Sequence, residues 1–203
     1  RRESATDCVQ DVDCVLTSAE LCELTDRLGI DPHTLKPQPT DPPYSAETGS
    51  GVIFGASGGV VESALRYLAG DAGGTLRELG VRSGDGLREF SLDLNGRTIR
   101  AAVTSGLKNA ADLLARIKHG EADYDVVEVM ACPGGCIMGG GQPPLDPWDR
   151  NKVYSKRNNG ISHTDEAVPV SESSRNMQAK ALHDALSEQE RHTLLHRAAK
   201  QKI

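Results

Sequence analysis

The sequence predicts a mixed α/β chain, and three observations carry that prediction. Two segments of alternating polarity, Leu87 to Leu94 and Arg97 to Thr104, flank Asn95-Gly96, the strongest short-range signal for a β-hairpin. A valine-rich run with Val126, Val127 and Val129 follows a helical stretch whose Leu113, Leu114 and Ile117 are apolar and which ends before Gly120. Glycine-rich turns around Gly55–Gly59 and Gly134–Gly141 punctuate the apolar segments.

In chain order, Asp11 to Thr17 reads as a short buried strand that carries Cys14 among its apolar residues. Ser18 is placed to cap a helix reaching about Leu28, with Leu21, Leu24 and Leu28 on one face and Gly29 at its end. Residues 30–50 hold five prolines and few apolar anchors, a long irregular connection of the kind that often lines a site or an interface. The run Gly51 to Gly59 is a glycine-rich turn opening a helix through Leu68. After the hairpin come a helix over Asn109–Lys118 and a buried strand over Tyr124–Ala131, which leads straight into Cys132-Pro133-Gly134-Gly135-Cys136. From Asp146 the sequence is polar, and two helical segments fit it, Ser174–Leu186 and Glu188–Lys200, with few core residues between them. No internal repeat is present.

Composition excludes several classes of function. A chain of 203 residues can bury a sizeable core. Its 23 basic against 29 acidic residues and its seven aromatic side chains argue against a nucleic-acid surface, so no nucleic-acid partner is expected. No run of about 18 apolar residues occurs, so no membrane-spanning helix is expected. The start, Arg1-Arg2-Glu3-Ser4, lacks an initiator Met and a signal peptide and reads as a cut or processed end. Five cysteines, Cys8, Cys14, Cys22, Cys132 and Cys136, make a poor disulfide framework and point to a reducing, cytoplasmic setting.

Chemistry concentrates at Cys132 and Cys136. Their spacing lets two thiolates lie on one side of a helical turn and meet a single metal centre. Gly134, Gly135, Gly139, Gly140 and Gly141 let backbone approach a bulky ligand with no Cβ in the way. An emerging helix N-terminus would add amide donors for thiolate charge. On spacing alone an iron–sulfur role competes with a redox dithiol, half a zinc site and two buried structural cysteines. Cys8, Cys14 and Cys22 lack the glycine or proline context of a cluster loop and read as small packed thiols. His33, His119 and His163 read as solvated, in loops or at a helix end. His183, His192 and His196 lie on the C-terminal helices, and no Glu completes a zinc-protease pattern around His192 and His196. Glu47, Glu62 and Glu128, beside glycine-rich turns, read as helix-dipole and hydrogen-bonding carboxylates rather than acid–base catalysts.

The segment Glu128 to Pro143 closely resembles the last signature of iron-only (diiron) hydrogenases. Ile53 to Arg66 resembles another segment of that family, as do Asp11 to Leu21 and Gly120 to Asp125, all in the family's order. The resemblance implies two twisted, mainly parallel sheets flanked by helices, with the metal cluster between two lobes. This chain would supply one lobe plus C-terminal helices: residues 1–145 as the C-terminal half of the catalytic domain and 146–203 as a helical tail. It further implies a 4Fe–4S cubane joined to a diiron subsite, catalysing reversible oxidation of H2 to protons and electrons. Cys132 matches a cubane ligand and Cys136 the cysteine that bridges to the diiron site. Met130 matches a residue packed beside that subsite, and Phe54, Gly55, Ala56 and Ser57 match the lining of the same cavity. Ser57 stands where the family usually has Thr, and Val61 where it often has Met. The two upstream cysteine motifs that complete the cubane are absent, so the chain alone is expected to be inactive. Its expected partners are the upstream half of the domain and a redox partner, either ferredoxin or an NAD(P)H-linked flavin/iron–sulfur subunit. The alternative is a non-catalytic relative such as a cluster-assembly factor. Those relatives tend to end in an aromatic residue, whereas this sequence ends Gln201-Lys202-Ile203.

Overall fold

A computed structural model describes residues 13–39, 45–70, 76, 80–82, 86–94 and 96–195. Among them are seven α-helices and one three-stranded sheet. The helices are α1 (Ser18–Arg27), α2 (Gly49–Val52), α3 (Gly59–Ala69), α4 (Leu107–Lys118), α5 (Arg150–Ala167), α6 (Met177–Ala185) and α7 (Glu188–Leu195). The strands are β1 (Leu87–Leu94), β2 (Arg97–Ser105) and β3 (Val126–Met130), in the spatial order β1-β2-β3.

The hairpin forms as the sequence predicts, with Leu94 opposite Arg97 and Leu87 opposite Thr104. Because β2 and β3 are joined through α4 they run parallel, with Val103 opposite Glu128 and Ser105 opposite Met130. The sheet therefore mixes one antiparallel and one parallel pair. Strand alternation turns Leu92 on β1 and Ile99, Ala101 and Val103 on β2 towards α3, where they meet Val61, Leu65, Leu76 and Val81 in the core. Leu113 on α4 is buried as well, as are Ala102 and Thr104 of β2.

The α3 helix starts where Gly59 passes the carbonyl of Ile53, so closely that a Cβ on Gly59 would lie 1.9 Å from that oxygen. Its first turn is capped from outside. Glu128, buried on β3, accepts hydrogen bonds from the amides of Gly58 (2.5 Å) and Val61 (2.9 Å). These are two of the donors a helix leaves unpaired at its start, and the carboxylate charge opposes the dipole there. The hydrogen-bonding reading of Glu128 thus holds.

Several expectations are corrected. Residues 13–17 pair with no strand, and Val15 and Leu16 are exposed, as are Cys14 and Cys22. A strand needs a ladder partner, and none of the described residues supplies one; Asp11, Val12 and Cys8 lie outside the described residues. The cap of α1 is Thr17 rather than Ser18: its hydroxyl accepts from the Glu20 amide while the Glu20 carboxylate accepts from the Thr17 amide, a capping box. No residue of α1 is buried. The strand before Cys132 is only half covered, because Val127 and Val129 face outward at the sheet edge. His163 lies on α5 and not in a loop. His196 and the end of the helix expected to reach Lys200 lie outside the described residues.

The largest difference is α5. Eighteen residues that read as polar tail form a helix packed across α2 and the two glycine turns. Arg66 on α3 meets the Asp165 carboxylate of α5 through both guanidinium nitrogens, at 2.7 and 2.8 Å. Glu62 accepts from Arg66 (2.5 Å) and Arg82 (2.6 Å), and Arg82 also reaches Asp165 at 3.4 Å. Two carboxylates and two guanidinium groups thus balance inside the fold. Burial works against the Arg66 cation, but Asp165 and Glu62 outweigh it and raise its pKa above the ordinary arginine value.

Candidate metal-cluster site

The two glycine turns that the sequence singles out are pressed together backbone to backbone. Gly135 is where they touch: a Cβ there would lie 2.6 Å from the Ser57 nitrogen and 2.9 Å from the Gly55 oxygen. Gly134 and Gly135 both take positive φ, 85° and 87°, so with Pro133 they turn the chain sharply after Cys132. Cys132 therefore lies in the bend, and Cys136 opens a single 3-10 turn, Cys136–Met138. The two thiols do not share one helical turn, and that turn is too short to act as a helix dipole. The Met138 amide donates to the Gly135 carbonyl, and the Gly139 amide, just past the turn, to that of Cys136.

Both thiols are exposed, which removes the reading of two buried structural cysteines. Beside them the wall is small: a Cβ on Gly139 would stand 3.6 Å from the Cys132 sulfur. Gly140 faces open space. Met130 is half-buried at the end of β3, on the same face as Glu128. Phe54 is 47% exposed, and Gly55 is half-buried. Ala56 and Ser57 are fully buried, and the Ser57 hydroxyl accepts a hydrogen bond from Arg88 at 2.8 Å. Ala56, Ser57, Gly134 and Gly135 thus shape the site as packed backbone, while Cys132, Cys136, Phe54 and Gly140 are its open groups.

Sequence reasoning missed the residues that hold this arrangement. Ser105, at the end of β2, accepts from the Gly134 amide through its hydroxyl (3.3 Å) and from Asn109 through its carbonyl (2.7 Å). On α5, Arg150 donates to the Pro133 carbonyl (3.0 Å), and Arg157 donates to the carbonyls of Ile137 (2.7 Å) and Pro143 (3.4 Å). Their spacing of seven residues, two helical turns, was the available signal once that segment is known to be helical. The far end of the loop rests on α1, where the Ala19 amide donates to the Gly141 carbonyl at 3.0 Å.

Gly135→Ala should damage this contact. The backbone region costs about 1–3 kcal/mol for a residue with a Cβ, and the overlap adds about 1–3 kcal/mol. Gly140→Ala, with open space around it, should stay within about 0.5 kcal/mol of the parent. Denaturant midpoints of the two variants check this; equal values would mean the turns are not in contact.

A 4Fe–4S cubane needs four thiolates. The exposed pair on a glycine loop fits one edge of such a cluster. No group of three or more His, Cys, Asp or Glu side chains able to hold a metal occurs among the described residues.

The model of the family described as "Iron only hydrogenase large subunit, C-terminal domain" matches residues 1–140. Over 137 residues the chain is 43% identical to the NADP-reducing hydrogenase subunit HndD of Solidesulfovibrio fructosivorans, covering 66% of this chain and 23% of that protein. It is 38% identical over 141 residues to the cytosolic iron-sulfur assembly component 3 of Mus musculus, covering 66% of this chain and 29% of that one. Its fold superposes on the FeFe-hydrogenase HydA1 of Chlamydomonas reinhardtii with a TM-score of 0.66 and 29% identity, over 95% of this chain and 56% of that chain. The chain thus spans roughly a quarter of the two sequence relatives and just over half of the structural one. With the Gly55–Ser57 and Gly134–Gly135 turns of two resembling segments packed against each other, the chain belongs to the iron-only hydrogenase large-subunit family, as part of its C-terminal domain.

Proposed function

We propose that the chain is one half of a hydrogenase catalytic domain, contributing two thiolates to a cluster at which H2 and two protons plus two electrons interconvert. The observation that carries this reading is the pair of exposed thiols, Cys132 and Cys136, on a glycine loop backed by the Gly55–Ser57 turn. In this reading Cys132 binds the cubane, Cys136 joins it to the diiron subsite, and Met130 and Phe54 pack against the latter. Ser57, Gly134, Gly135, Gly139 and Gly140 keep the backbone close. When bound, the cluster supplies the redox and Lewis-acid chemistry; the chain's own task is to hold and orient it and to exclude water. The remaining thiolates come from an upstream half, and electrons pass to a ferredoxin or an NAD(P)H-linked subunit. Residues 1–145 belong to the catalytic half and 146–203 to a helical tail, in a protein of the cytoplasm. No helix among the described residues is long and apolar enough to cross a membrane.

The uncovered apolar stripe of α1, with Leu21, Leu24 and Leu28 all exposed, supports a missing half, because monomers seldom leave such a stripe open. A second reading, a cluster-assembly factor, is favoured by the likeness to the mouse assembly component.

Reconstitution tests both. The 203-residue chain, purified anaerobically and supplied with iron and sulfide, should bind less than one cluster per chain and turn over no H2. Adding the upstream half should restore a full cubane and, after maturation, H2 evolution. Four irons in the isolated chain with a reduced-cubane EPR signal would sink the half-domain reading. A full cluster in the completed protein without H2 turnover would select the assembly reading.

A further inference from the structure

The α5 helix presents one stripe to the rest of the molecule. Arg150, Tyr154, Arg157, Ile161 and Asp165 recur at i, i+4, i+7, i+11 and i+15, and each meets another element. Arg150 reaches the Pro133 carbonyl, Tyr154 donates to that of Arg82 (3.1 Å), and the Ile161 side chain lies beside Gly55. Asp165 enters the buried ion cluster. Arg157 sits in the middle of this stripe and is half-buried. Its guanidinium gathers the carbonyls of Ile137 and Pro143, so one side chain closes the loop that begins just after Cys136. The same group lies 3.9 Å from the Met138 sulfur.

We propose that Arg157 is a positioning residue for Cys136, fixing the loop that carries the thiolate and keeping a permanent positive charge one residue away from it. The proposal rests on the reading of Cys136 as a cluster ligand. Two consequences are separable. The clamp is a property of the chain itself and holds with no metal bound. The charge acts on a bound cluster: reduction adds a negative charge, which a nearby fixed cation favours, so its removal moves the midpoint potential to more negative values.

The first experiment is amide hydrogen exchange on the metal-free chain. Arg157→Met should speed exchange at Met138, Gly139 and Gln142, whose amides are bonded within the loop, by about tenfold or more, while α3 amides keep their rates. Unchanged exchange in residues 137–143 overturns the clamp. If exchange rises throughout the chain, Arg157→Lys decides, since it keeps the charge and one donor: protection of the loop intermediate between parent and Met supports the clamp, and parent-like protection overturns it. The second experiment is an EPR-monitored redox titration of the complete, reconstituted catalytic domain. Arg157→Met and Arg157→Gln should both shift the cluster potential negative, and Arg157→Lys should restore it. A Lys variant shifted as far as the Met variant overturns the electrostatic part, leaving only a structural contact. If the parent domain takes up no cluster, the ligand reading of Cys136 fails, and hydrogen exchange still decides the clamp.

Discussion

Cys136→Ser, placed in a complete and maturated catalytic domain, is expected to bring H2 evolution down to background. Changes to outer partners of metal ligands already cost 10–100-fold, so if Cys136 is the proposed bridging ligand its loss should exceed about 100-fold. Serine keeps the size of the side chain but offers a harder oxygen donor where soft thiolate is needed to hold iron–sulfur. Because Cys136 is exposed and opens a short turn whose hydrogen bonds are made by backbone, the fold should survive. Cys22→Ser, on an exposed face of α1, serves as the control and should leave turnover unchanged. Gas chromatography of evolved H2 and iron content per chain read the result together. Near-normal evolution from the Cys136 variant would remove that residue from the site.

The second large effect is one of stability. Asp165→Ala should destabilise the fold by about 3–5 kcal/mol, the usual cost of removing one partner from a buried ionic group. Arg66 and Arg82 are 1% and 6% exposed and would keep Glu62 as their shared carboxylate, with only neutral acceptors beside it, the Ser171 carbonyl for Arg66 (3.3 Å) and the Ser162 hydroxyl for Arg82 (3.2 Å), so two buried cations would face one anion. Measured against a domain stability of about 5–15 kcal/mol, that is a large fraction. Asp165→Asn retains one carbonyl oxygen for Arg66 and should lose less. Urea unfolding of parent, Ala and Asn forms settles the order, and a loss under about 1 kcal/mol for Ala would show that the cluster is relaxed or water-filled.

What could be read from the sequence was whatever is encoded locally. The Asn95-Gly96 signal located the hairpin because two residues decide a tight turn. Glycine and cysteine spacing singled out the loop after β3 because steric freedom and soft ligands are properties of residue type, and the structure packs its Gly135 against the Gly55–Ser57 turn. Glu128 was legible as a hydrogen-bonding carboxylate, although its target, the start of α3, was not. The helix α5 was invisible because hydropathy patterns assume that the buried face is apolar. Here the inward stripe is Arg150, Tyr154, Arg157, Ile161 and Asp165, and only Ile161 gives an apolar signal. The expected strand up to Thr17 failed for the opposite reason: Val15 and Leu16 are apolar enough, but pairing is a tertiary event that no local run can supply. Cys14 and Cys22 were assigned to the interior on residue statistics, and among the described residues no layer covers α1, which defeats such statistics.

The polar stripe of α5 also decides how sharply that helix is seated. Apolar side chains tolerate sliding, since one greasy contact replaces another at little cost. Directional bonds to the carbonyls of Pro133, Ile137, Pro143 and Arg82, and charges in a buried quartet, do not. A slip of one residue would advance the helix by about 1.5 Å and rotate it by about 100°, breaking all of these bonds at once. The seat is therefore all-or-none, with a single register that satisfies both ends. One end of that register is the ion cluster beneath α3, and the other is the loop around the cysteines. The position of the thiols is in this way indexed to the interior of the molecule rather than left to the loop that bears them.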